Sequence, residues 1–212
     1  MAYETRQSSG GTAVRHGGIQ RHRSISKRSR TLASRRRLAV GVVTLDRNIS
    51  SFELSDNTVD PSGSSYLLIS FGQNESETHA RALLADAMNH GPVQWLTFAS
   101  FSPVSRRPIE GAIRSCRNGV RIAIIGNQFD VLQCAALARS LGALENEIRK
   151  LITQSSDLPI YCAHCRQTSR VVGTPGSVVV CSACARSVEI HAHFSESKGC
   201  FLASDARART LP

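Results

Sequence analysis

Three runs of apolar residues, at 66–71, 93–98 and 120–125, punctuate the middle of the chain. They recur about every 27 residues, the spacing of strand–helix–strand units. Each run is continuous rather than alternating, which predicts strands buried on both faces of a parallel sheet. The segments between them carry a helical period. Ala80, Leu83, Leu84, Ala87 and Met88 fall at i, i+3, i+4, i+7 and i+8, with Ser76 as a candidate N-cap. A second helix is predicted to open at Pro108, present Ile109, Ala112, Ile113 and Cys116 on one face, and stop at Gly119. A third runs from about Gln128 to Leu141, capped by Asn127, with Asp130 three residues on and Gly142 closing it. A strand around 145–152 completes the sheet, and residues 153–159 read as a linker. Upstream, residues 38–45 read as a further strand, followed by polar, turn-rich sequence to Ser65.

Beyond the linker the pattern changes to short alternating stretches at 169–173, 178–180, 188–193 and 200–203, with a Thr-Pro-Gly-Ser turn at 174–177. The predicted fold class is therefore α/β: a small, mostly parallel, three-layer sheet followed by a zinc-ribbon-like β module. The domain boundaries are 1–37, 38–152 and 158–204.

Charge changes the picture at the N-terminus only. Ten of the 26 Lys and Arg lie in residues 1–37, opposed there by Glu4 alone, so this segment carries +9 of the formal +10. The remaining 16 basic and 15 acidic residues nearly cancel. A tail rich in Ser, Gly, Arg and His cannot bury enough surface to offset its ordering entropy, so it is expected to be disordered. As a basic arm or a transit segment it would act on its own, because the folded body shows no basic footprint of a nucleic-acid binder. No run approaches the ~20 apolar residues of a membrane span, and the start lacks a secretory stretch, which places the protein in the cytoplasm.

The chemistry sits in the cysteines. Cys162-Ala-His-Cys165 and Cys181-Ser-Ala-Cys184 form two CxxC pairs with fifteen residues between them, the spacing of a structural zinc site. Two thiolates on one tight turn can face one ion, and two such turns complete a tetrahedron. A module of under about 50 residues needs such a staple. Disulfides would require an oxidising compartment; an iron–sulfur centre also takes four cysteines and remains open on spacing alone. Cys116 and Cys134 lie on apolar helix faces and read as core, and Cys200 follows a glycine in a strand. His164 lies inside a turn whose four thiolates already fill the shell. His191 and His193, alternating along a strand, read as half-exposed strand residues or as an auxiliary site.

The α/β part lacks a nucleotide's landmarks. The turn after the first strand, Phe71-Gly-Gln-Asn-Glu-Ser-Glu77, has one glycine, and Glu75 and Glu77 would repel a phosphate at the helix N-terminus. No P-loop, nucleophile elbow or catalytic triad is present, so no catalytic or cofactor-binding residue is assigned.

The run Val120-Arg-Ile-Ala-Ile-Ile-Gly126, with Phe129 and the helix to Leu141-Gly142, resembles the last βα unit of ferredoxin-reductase-type NAD domains, with Ile125-Gly126-Asn127 in place of their Cys-Gly-Pro turn. Together with Tyr161-Cys-Ala-His-Cys165, Cys181-x-x-Cys184, His193-Phe194-Ser195, Gly199 and Phe201, residues 66–203 resemble the small subunit of bacterial dimethylamine monooxygenase (the DmmA-like family). The chain departs from that pattern at Glu196-Ser197, where basic residues usually follow.

The resemblance implies a non-catalytic accessory or assembly subunit of a multi-component monooxygenase that demethylates dimethylamine with oxygen and NADPH. Haem, flavin and an iron–sulfur centre would then sit on partner oxygenase and reductase subunits, and the 193–201 element would meet a partner. The alternatives are a zinc-ribbon nucleic-acid-binding or regulatory protein and a nucleotide-linked reductase fragment.

Overall fold

The computed structural model describes residues 57–208, which all fall in one compact unit. The tail at 1–37 and the strand expected at 38–45 lie outside the described residues.

The three apolar runs are strands: β1 (Ser65–Phe71), β2 (Val93–Phe98) and β3 (Val120–Asn127), joined by β4 (Ile148–Gln154) into a parallel sheet of order β2-β1-β3-β4. Every pairing within it is parallel. The continuous apolar sequence of β1 has its physical reason in two packed faces. Leu67, Ile69 and Phe71 face Ile109 and Ile113 of α2 (Pro103–Ser115) and Val131, Cys134 and Ala138 of α3 (Gln128–Ser140). Leu68 faces Ala80 and Leu83 of α1 (Glu75–Ala87), with Ile125 and Leu151 beside it. Three layers result, with α1 on one side and α2 and α3 on the other.

Helix starts depart from expectation in two places. Ser76 is not the cap of α1. Asn74 holds that position with φ of 57°, while Ser76 turns inward and shares a hydrogen bond with Thr153 Oγ1 at 2.9 Å. Helix α2 begins five residues before Pro108, because Ser102-Pro103 supplies both a cap and a first-turn proline. Ser102 Oγ accepts from the Ser105 amide, and Ser105 Oγ accepts from the Ser102 amide at 2.8 Å. Pro108 then sits inside the helix and leaves the Val104 carbonyl without a helical donor; Val104 is 84% exposed, so water can serve it. Helix α3 matches its reading, with Asn127 Oδ1 accepting from the Asp130 amide at 3.0 Å and Gly142 at φ 99° after its end.

The linker expected at 153–159 is corrected. Strand β4 runs through Gln154, β5 (Asp157–Cys162) starts at Asp157, and only Ser155 and Ser156 lie between. The reason is burial: Leu158 and Ile160 are core residues of a second sheet. Pro159 obscured this strand. It is accommodated because the parallel pairing of β5 with β9 begins only at Ile160, so no ladder bond is asked of its nitrogen on that side.

The second sheet has order β6-β5-β9-β8-β7, with β6 (Thr168–Val172), β7 (Val178–Val180), β8 (Ser187–Ser195) and β9 (Cys200–Asp205). Its pairings are antiparallel except β5 with β9. Its core is Leu158, Ile160, Cys162, Val171, Cys181, Val188, Ile190, Phe201 and Ala203, completed by Leu132 from α3. Helix α3 therefore packs on two sides, which is why its apolar positions are not confined to one stripe. Among the described residues no helix is long and apolar enough to cross a membrane.

Candidate metal centre

The four cysteines of the paired motifs come from two turns of the same design. In the first, at the end of β5, the Cys162 amide donates to Gln167 O at 3.0 Å and the Arg166 amide donates to Cys162 O at 2.8 Å. In the second, the Cys181 amide donates to Arg186 O at 2.8 Å and the Ala185 amide to Cys181 O at 2.8 Å. Both turns close with a residue in the left-handed region, Arg166 at φ 61° and Ala185 at φ 58°. Non-glycine residues accept that conformation at a cost, so it marks a turn whose shape is imposed by its surroundings.

These turns bring the four Sγ atoms within 4.8 Å of one another. Cys162 lies 3.9 Å from Cys184, and Cys165 lies 3.8 Å from Cys181. A tetrahedron with metal–sulfur bonds of about 2.3 Å has edges of about 3.8 Å. The donor set and its separations thus fit one tetrahedral ion. A multi-iron cluster, with sulfides between the thiolates, needs them further apart. Cys162 and Cys181 are fully buried, and Cys165 and Cys184 half-buried.

Four thiols this close cannot all ionise unaided. Burial pushes Cys181 up, but the amides of Ala183 and Cys184 and the neighbouring thiols outweigh it and bring it down to about 7. The Arg186 amide pulls Cys184 down, yet burial and the three other sulfurs carry it up to about 12. A cation at the centre of the four would invert that order and deprotonate all of them.

The remaining sequence candidates do not join this cluster. Cys134 and Cys200 are buried and Cys116 half-buried in the packing of their own elements. A bulge in β8, between Ile190 and Phe194, breaks the alternation expected of His191 and His193. His191 Nε2 lies 2.6 Å from Ser204 Oγ, and His193 is exposed. His164 is exposed in the first turn.

Sequence reasoning missed a polar clasp toward the other end of β5. Asp130, in the first turn of α3, is fully buried and takes Arg170 of β6 at 2.5 Å and the Phe101 amide at 2.8 Å. The same guanidinium pairs with Asp157 and stacks 4.2 Å from the Phe129 ring centroid. Burial pushes the Asp130 carboxyl above its usual range despite the Phe101 amide and Arg170. Asp130 was legible only as a first-turn helix acid; the partner forty residues away carried no signal.

The β8–β9 turn also meets α3. Gln133 Nε2 donates to Gly199 O at 2.8 Å and to Lys198 O at 3.0 Å, and Arg139 pairs with Glu196 at 3.3 Å. Gly199 has φ of 62°, and a Cβ there would lie 2.4 Å from Leu132 O. Glu196, the departure from the basic pattern, thus has an intramolecular cation to meet.

Comparison with known proteins places this module. Residues 159–203 match the family described as dimethylamine monooxygenase subunit DmmA-like, C-terminal domain. The chain is also similar to the "Heme-dependent oxidative N-demethylase delta subunit" of Ectopseudomonas mendocina (strain ymp), at 26% identity over 144 residues, or 67% of this chain and 79% of the relative. No solved structure matches the chain significantly. The cysteine-bearing module, at 159–203, is thus similar to the C-terminal domain of that family.

Proposed function

We propose that this chain is a non-catalytic accessory or assembly subunit of a multi-component, NADPH-dependent amine monooxygenase of the dimethylamine-demethylating kind. The observation that carries the reading is the 144-residue similarity to a delta subunit of an oxidative N-demethylase. That span is longer than the 45-residue module, so the likeness reaches into the α/β layer as well. Haem belongs to a partner oxygenase in this reading, and flavin and an iron–sulfur centre to a partner reductase.

Cys162, Cys165, Cys181 and Cys184 hold a structural zinc ion, making 158–204 a zinc-ribbon domain behind a Rossmann-like domain at 38–152. The ion cross-links the two turns and supplies no redox chemistry.

A non-catalytic role draws support from the crevice where a doubly wound sheet would bind its ligand, at the carboxyl ends of β1 and β3. A Cβ on Gly126, whose φ is 156°, would lie 2.9 Å from Phe71 Cβ, so the two strand ends approach closely there. Phe71 packs against Phe98 and Phe101 with ring centroids 6.0 and 6.2 Å apart. The helix N-termini that would face an anion carry their own carboxylates, Glu75 and Glu77 on α1 and Asp130 on α3.

The test is co-expression of the full chain with its genomic neighbours. Co-purification with haem- and flavin-bearing subunits, one zinc per chain and no bound nucleotide are expected. Failure to capture either subunit overturns the reading.

A further inference from the structure

Among the described residues most Lys and Arg side chains have a partner, and three of the exceptions cluster. Arg81, Arg106, Arg121, Arg139, Lys150, Arg170 and Arg186 each face a carboxylate, and Lys198 lies over the Tyr161 ring. Arg149 and Arg207 are engaged too. Among the described residues, Arg107, Arg114, Arg117 and Arg166 have no such partner; Arg166 lies on the first cysteine turn, and the other three are exposed on α2 or just beyond its end. Arg107 and Arg114 are seven residues apart, two turns along one face, at about 10 Å.

This row leads into a cleft of about 360 Å³ at the amino-terminal end of β3. Arg114, Arg117 and Asn118 form one side, and Leu141, Gly142 and Ala143 form the other. The floor is apolar, with Ile113, Val120 and Ile122 at 6%, 5% and 1% exposure. Glu147 is the one acidic residue among the lining residues. Leu144 on the adjoining loop is 60% exposed, and Val104 at the head of α2 is 84% exposed.

We propose that the α2 face and this cleft form the docking surface for an acidic segment of a partner subunit, with an apolar side chain seated between α2 and the end of α3. The inference rests on the accessory-subunit reading and deepens it by naming the surface and the partner's charge. Charge complementarity argues for an acidic occupant, since three cations left without carboxylates are completed by one that brings them. The apolar floor and the exposed Val104 and Leu144 argue for a polypeptide. A single-stranded nucleic acid would look for aromatic stacking platforms, and residues 103–118 contain none.

The experiment uses the full chain co-expressed with its genomic neighbours, comparing the parent protein with R107E/R114E/R117E and with R107E alone. The triple reversal is expected to weaken partner capture at least tenfold at low salt, and the single reversal by less, with zinc content and helical signal unchanged. Capture by the parent chain is expected to fall as salt rises. Undiminished capture by the triple variant overturns the docking surface and leaves the accessory reading standing. A parent chain that captures nothing overturns both. If the parent chain instead retains a labelled single-stranded oligonucleotide that the triple variant releases, while protein capture is equal, the face binds nucleic acid and the proposal is wrong.

Discussion

The parallel sheet and the cysteine module solve the same problem, a stable core, by different means. The sheet buries the apolar strands β1 and β3 on both faces: Leu67, Leu68, Ile69, Ile122, Ile124 and Ile125 are all within 1% of complete burial. The module has five strands of three to nine residues, and two of the nine core residues it supplies itself are cysteines. Its core also borrows Leu132 from α3. A large apolar area lets the first region stand on burial alone. The second draws on what comes from outside its own strands: the proposed ion, a neighbouring helix and the buried Asp130 carboxylate.

The sharpest way to break this contrast is to remove the proposed metal. Zinc binding at four-cysteine sites is linked to folding by ~10–16 kcal/mol. A chelator, or Cys181→Ser, is expected to strip amide-exchange protection from β5 to β9 while β1 to β4 keep theirs. Loss of protection in both sheets together would erase the distinction. Loss in neither would refute the ion's structural role.

The borrowed helix comes next. Leu132→Ala is expected to cost about 3 kcal/mol, as a buried leucine lost from a shared core. Gly199→Ala should also undock the β8–β9 turn, since its Cβ must push past Leu132 O. Urea denaturation of the full chain reads both. A variant whose module unfolds while α3 exchange is unchanged would show that the two sheets do not share this helix energetically.

Arg170→Ala is expected to cost about 3 kcal/mol, because it strands a fully buried carboxylate. Asp130→Ala/Arg170→Ala should lose less than the two single changes combined, and simple additivity would show that the clasp is not a coupled pair.

Within the sheet region, Gly111→Ala is expected to raise stability by about 1 kcal/mol. Nothing lies within 4 Å of a Cβ at that position, so a fall in melting temperature would contradict the packing described for α2.

The smallest effect is electrostatic. Hydrogen bonds from Arg121 and Ser62 hold the Asp60 carboxyl at about 2, below its ordinary 3.8. A lowered value in the fold stabilises above pH 3.8, and that contribution fades as pH falls toward 2. In Arg121→Ala the titration of Asp60, followed by NMR, should move up toward the ordinary value. No movement would remove Arg121 as the cause.

What was legible in the chain follows the same division. Strands β1 to β3 and the caps of α3 were readable because their signals are local: an unbroken apolar run, an asparagine before a helix, a glycine after it. The convergence of the four cysteines was readable because two matched CxxC turns carry a recognisable spacing. The start of α2 was misread because Pro108 looked like a first-turn proline, while Ser102-Pro103 held the stronger combination. Strand β5 was taken for linker because Pro159 and its polar flanks hid Leu158 and Ile160 from a pattern search. The Arg170 clasp and the seat of Gly199 on α3 depend on contacts forty or more residues apart, which no periodicity carries.

Helix α3 holds the Arg170 clasp through Asp130 in its first turn and flanks the cleft beyond α2 just past its last. Its 13 residues span about 20 Å, so the helix acts as a fixed ruler between the two surfaces. With only Ser155 and Ser156 between the sheets, little slack blurs that distance. A partner long enough to grip both ends would make its second contact intramolecularly. Two weak contacts at a preset separation can then hold ~10²–10⁴ times more tightly than either alone.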